Sequence, residues 1–137
     1  MTDYKEKFEK MKVAGKLAAQ TLDMLTDNVK EGISTEYIDK LGYEFIRDNG
    51  GYSAPLYYRG YKKSLCTSLN HVVCHGIPSD RVLRDGDAVN IDVTAIVDGY
   101  YGDTSRMFCI GNTSVKLNNL IDVTHQSMIR AIKILKP

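Results

Sequence analysis

The stretch NIDVTAIVDGYYGDTSRMF, from Asn90 to Phe108, constrains this chain more than any other. Val89, Ile91, Val93 and Ala95 alternate with polar residues, the pattern of a strand with one buried face. Asp98-Gly99 is a strong two-residue turn signal, and a second strand follows from Tyr100 to about Ile110. A tight turn makes Val97 the partner of Tyr100, and every other pair follows from that one. Asp92 then faces Ser105, and Thr94 faces Asp103. Side chains alternate along a strand, so Asn90, Asp92 and Thr94 share a face with Tyr101, Asp103 and Ser105. The hairpin therefore presents two carboxylates on one face, on a cross-strand diagonal roughly 7 Å apart at the backbone.

Two acids so placed repel one another, and burial would raise their pKa. A cation between them removes the conflict, and two divalent ions about 3.5–4 Å apart could be bridged by such a pair. Taken alone, the pattern equally allows a solvent-facing side of the hairpin on which neither acid does chemistry. His75, in VVCHGIP, is the second candidate: a functional imidazole, or a hydrogen-bonded core histidine. His71, beside Asn70, reads as exposed.

The flanking segments supply the rest of a domain. Phe8, Met11, Ala14, Leu17, Ala18, Leu22 and Leu25 recur at helical spacing and predict a helix with one core-facing stripe, ending near Asp27-Asn28. Ser34 is the expected N-cap of a second helix with Ile38, Leu41, Phe45 and Ile46 inward. DNGGYSAP breaks that helix. SLCTSLNHVVCHGIP reads as extended segments around Asn70. After GNTS, residues Leu117, Leu120, Ile121, Thr124, Met128, Ile129 and Ile132 predict a C-terminal helix. The expected class is α+β: a curved antiparallel sheet with the two N-terminal helices and the C-terminal helix on one face, as a single domain over 1–137.

A length of 137 residues is enough for one real core. The net charge of +1 gives no field that would favour nucleic acid or an anionic membrane. Lys62-Lys63 reads as a solvated basic pair. The N-terminal MTDYKEKFEKMK has no apolar core of a signal peptide, and no apolar run reaches membrane-spanning length. Three cysteines, Cys66, Cys74 and Cys109, then suggest reduced thiols and a cytoplasmic location. Their spacing matches no zinc pattern, and all three are expected to be buried small residues.

SLCTSLNHVVCHGIP followed by LRDGDAVNIDVTAIVDGYYGDTSRMF, together with the VAGKLAA helix, resembles the bacterial type I methionine aminopeptidases over about residues 8 to 137. The resemblance implies the pita-bread fold and a hydrolase that removes N-terminal methionine from nascent or short polypeptides with a dinuclear centre of divalent ions, whether cobalt, manganese, iron, zinc or nickel. By the same resemblance Asp92 would be a bidentate metal ligand and Asp103 a bridging one. His75 would contact the substrate and stabilise the transition state. Tyr58, Tyr61 and Cys66 would line the methionine pocket. Asn70 and Val72 would bind a monovalent cation through their backbones, and Thr94 would support the ligands without touching the ions. Lys62, Pro55 and His71 depart from the usual proline, cysteine and acid at those positions.

The family's catalytic domain is about twice as long, and its second half supplies one histidine and two glutamates to the metals. Those three ligands lie outside this sequence. The resemblance therefore implies half a pita-bread, whose two similar halves are related by a pseudo-twofold axis. Three readings stay open: an aminopeptidase completed by a homodimer or a partner half, a non-catalytic module that captures peptide N-termini, and an inactive truncated fragment.

Overall fold

The computed structural model of the chain describes residues 2–136. Helix α1 spans Thr2–Thr26 and helix α2 Thr35–Asp48. Strand β1 is Tyr52–Ser53, β2 is Cys66–Leu69, β3 is Ala88–Val97 and β4 is Tyr100–Cys109. Helix α3 spans Val115–Ile134. Ser34 caps α2 as expected, its hydroxyl accepting from the Tyr37 amide, which satisfies one of the four orphan donors of that terminus.

All strand pairs are antiparallel, and β3 is the spine of the sheet. One edge of β3 pairs with β4 along its full length, from Ala88↔Cys109 to Val97↔Tyr100. The other edge is shared by β2, opposite Val89 to Asp92, and by β1, opposite Ala95 and Ile96. Asp98 and Gly99 both have positive φ, as a two-residue hairpin turn requires. The register is the one the tight turn predicts, including Asp92↔Ser105 and Thr94↔Asp103. Among the described strands β4 pairs with β3 alone, which leaves its outer edge without a partner strand.

One face of this sheet is dry. Val89, Ile91, Val93 and Ala95 are fully buried against Leu17, Ala18, Leu22 and Leu25 of α1, with Ile38 and Ile46 of α2 in the same cluster. Each buried valine, leucine or isoleucine among them contributes about 1.5–3 kcal/mol by leaving water. The helix reaches the sheet because the contact residues are small. A Cβ on Gly102 would lie 2.2 Å from the Ala14 carbonyl carbon and the Gly15 nitrogen, so only glycine lets the α1 backbone rest on β4. Arg106 fastens the far end of the same crossing, donating to Asp23 at 2.8 Å and to Thr26 at 3.0 Å.

Three expectations are corrected. The α1 stripe is buried only from Ala14 onward; Phe8 and Met11, 50% and 52% exposed, lie beyond the sheet. Helix α3 forms at the expected place, but none of its residues is buried and it makes no substantial packing with another element. Two helices, not three, cover the sheet. Of the cysteines only Cys66 is buried; Cys74 and Cys109 are exposed, because each sits where no further layer of the chain covers it. No helix is long and apolar enough to cross a membrane among the described residues.

Candidate functional site

The second face of the hairpin carries Asn90, Asp92 and Thr94 from β3 and Tyr101, Asp103, Ser105 and Met107 from β4. Cys66 and Ser68 join it from β2, since Cys66 pairs with Asp92 and Ser68 with Asn90. Among the described residues no helix lies over this face: Tyr101 and Met107 are exposed, Asp103 is exposed, and Asp92 is half-buried between its neighbours.

The electrostatics centre on Asp92. Burial pushes its carboxyl above the usual 3.8, the nearby Asp103 carboxylate pushes it further, and the neighbouring His75 opposes both. The two acids and the histidine therefore occupy one locality, although His75 comes from a loop and not from the hairpin. Both donors of the pair are hard oxygens, the type that divalent ions accept. The pair is still only part of a coordination shell: among the described residues no group of three or more His, Cys, Asp or Glu is placed to hold a metal ion.

The remaining expected residues divide. Cys66 is buried directly across from Asp92, and burial raises its thiol pKa, with the Asp92 charge adding to that effect. Tyr61 is half-buried; its hydroxyl donates to the Leu65 carbonyl at 2.8 Å and lies 3.3 Å from the Gly76 carbonyl. Burial also raises the Tyr61 pKa, so this phenol stays a neutral donor. Tyr58 is exposed, on a short 3-10 turn (Tyr58–Gly60) between the left-handed residues Tyr57 and Arg59. Thr94 is half-buried on the site face, opposite Asp103.

The side chain of Asn70 has a structural task. It donates to Asp87 at 2.8 Å and accepts from the Ala88 amide at 3.0 Å, tying the end of β2 to the start of β3. Val72 is exposed in the loop that follows. A cleft of about 400 Å³, lined by Thr35, Asn70, His71, Val72, Ile77 and Arg81 among others, lies beside that loop. Lys62 is exposed as expected, whereas Lys63 is half-buried and pairs with Glu36, so only the first of the basic pair is the solvated residue it reads as.

Sequence reasoning passed over two residues that shape the site. Asp39 of α2 is buried and accepts from the Ser64 and Leu65 amides at 2.7 and 2.8 Å, fixing the entry to β2. Its pKa is nevertheless raised, because burial outweighs those two bonds. Ser68 receives the Gly76 amide at 3.1 Å. An acid within a helix stripe hints at the first. Nothing local signals the second, which depends on a loop returning to β2.

Residues 9–137 match the model of metallopeptidase family M24. The chain belongs to that family. It is 52% identical over 130 residues to the methionine aminopeptidase of Rickettsia prowazekii, covering 95% of this chain and 50% of that protein. It is 48% identical over 134 residues to the Escherichia coli methionine aminopeptidase, covering 96% of this chain and 51% of that one. The crystal structure of the Rickettsia prowazekii methionine aminopeptidase superposes with a TM-score of 0.95 at 51% identity, over 97% of this chain and 54% of the solved one. The fold is accordingly the N-terminal half of a pita-bread metallopeptidase, and the chain spans about half the length of the curated relatives it matches. A metallopeptidase family implies divalent metal ions.

Proposed function

We propose that this chain provides one half of a metal-dependent aminopeptidase site that removes methionine from polypeptide N-termini. The observation that carries the reading is the Asp92–Asp103 pair: two carboxylates on adjacent strands of a rigid hairpin, one with its pKa raised, on a face that no helix covers. Asp92 and Asp103 are assigned as ligands to a dinuclear centre. Bound divalent ions would supply Lewis acidity toward the scissile carbonyl and acidity to water. His75 donates a hydrogen bond to the oxygen on which charge develops. Cys66, Tyr61 and Tyr58 line the pocket for the methionine side chain, with Thr94 supporting the acids and the Asn70 and Val72 carbonyls holding a monovalent cation.

Two aspartates leave a dinuclear site short of ligands, so the remainder comes from across the open face. A half equivalent to the other half of the relatives would supply it, whether it lies on the same polypeptide, on a second copy of this chain about a twofold axis, or on a separate chain. The unpartnered edge of β4 and the exposed Tyr101 and Met107 support such a contact. A stable interface of this kind would bury roughly 2,000 Å² or more.

Calorimetric titration with manganese or cobalt, sedimentation with and without chelator, and turnover of a Met-Ala-type peptide test the proposal together. Asp92→Asn and Asp103→Asn are each expected to abolish divalent-ion binding without loss of the fold. The assembled species is expected to tighten with metal, which neutralises converging acids. Metal binding as strong in both variants as in the parent chain would end the reading.

A further inference from the structure

The loop that carries His75 is pinned at both ends and bare in the middle. At its start Asn70, with φ +53, is locked by its side-chain bonds to Asp87 and Ala88. At its end Gly76 is buried and seated on β2: its carbonyl accepts from the Thr67 amide at 2.8 Å and its amide donates to the Ser68 hydroxyl at 3.1 Å. A Cβ on Gly76 would meet the Thr67 carbonyl oxygen at 2.3 Å, so the seat admits glycine alone. Residues 71–75 between these anchors are all exposed. His75 itself has φ +54, a left-handed conformation uncommon for a residue with a side chain.

The backbone from which the His75 imidazole projects is therefore held by the peptide that joins it to Gly76. That peptide contributes the amide that Ser68 accepts. Ser68 stands on the site face of β2, two residues from Cys66 and across from Asn90, and is almost fully buried. We propose that Ser68 is a positioning residue: by accepting the Gly76 amide it holds His75 in its left-handed conformation and aims the imidazole at the Asp92–Asp103 pair. Without that acceptor the buried amide has to find another partner. Rotation of the His75–Gly76 peptide is the nearest way to do so; it changes ψ of His75, takes the residue out of the left-handed region and frees the loop end that holds its Cα–Cβ bond toward the site. The inference rests on the reading of His75 as the group that contacts substrate, but the conformational half of it does not.

The test uses the full chain with Ser68→Ala and Ser68→Thr. Threonine keeps the hydroxyl and suits a strand. Backbone couplings and side-chain resonances of isotope-labelled His75 report its conformation without any need for turnover. The alanine variant is expected to keep the hairpin resonances while His75 leaves the left-handed region, and the threonine variant to restore it. In a preparation that turns over peptide, Ser68→Ala should lower kcat by about 10–10²-fold at unchanged KM, the scale of loss from a small misplacement of a catalytic group. It should lower it no further when His75→Ala is already present. A fold-only role for the hydroxyl would add its effect to that of His75→Ala. Unchanged His75 resonances in Ser68→Ala would overturn the proposal. So would global unfolding of that variant, which would make the hydroxyl a requirement of the sheet. A shifted His75 in a chain that cleaves nothing under any condition would sustain the positioning role and count against the aminopeptidase reading instead.

Discussion

Helices α1 and α3 carry apolar stripes of the same period and meet different fates. From Ala14 to Leu25 the α1 stripe is buried, with Leu22 1% exposed, because Gly102, Ala95 and Ala18 let the helix backbone settle onto the hairpin. The α3 stripe has no such seat: Leu120 is 64% and Met128 51% exposed. An amphipathic pattern records that a helix needs an apolar surface. It does not record which chain provides that surface.

The largest expected effect comes from removing the α1 seat. Gly102→Val drives a branched side chain into the Ala14–Gly15 backbone, and is expected to destabilise by about 3 kcal/mol or more, seen as loss of the cooperative thermal transition. Next in size is a matched pair of truncations. Leu22→Ala should lower stability by about 2–5 kcal/mol in urea unfolding, whereas Leu120→Ala should stay within about 0.5 kcal/mol. Equal losses would mean that α3 is seated after all. Adding the material that covers α3 should raise the cost of Leu120→Ala toward the Leu22 value, and so identify its partner. The smallest effect concerns the other face of the hairpin. A carboxyl whose folded-state pKa is raised favours folding while protonated; that contribution is complete below the ordinary 3.8 and is lost as pH rises through the raised value. Metal-free Asp92→Asn should therefore melt a few degrees above the parent at pH 7, with the gain vanishing below about pH 3.8. Saturating manganese should reverse the order at pH 7, since only the parent retains the ligand.

The hairpin and its two-faced pattern were legible because a two-residue turn propagates register through ten pairs, and the period of two then assigns each face. Helix α2 was legible from its cap and stripe. The exposure of Cys74 and Cys109 was not, since a thiol's burial depends on the layer above it. The neighbourhood of His75 was not legible from spacing either. It requires the loop over residues 71–75 to return Gly76 to β2, a contact that no local propensity encodes, and it entered only through a resemblance of motifs. Ser68 illustrates the limit: an ordinary strand serine until the Gly76 amide is found on it.

The alternation along β4 has a genetic corollary. Gly102 faces α1 and Asp103 faces away, one residue apart. A single-codon deletion in the turn that slipped β4 by one position would turn Asp103 toward the Ala14–Gly15 backbone and Gly102 toward the open face. The carboxylate pair and the helix seat would be lost in the same event. Offspring carrying such a lesion would make no well-folded protein with a silently broken site; they would make protein that fails to fold and is cleared. Quality control of the backbone thus acts as a filter on the site's reading frame, without any need for selection to see the chemistry.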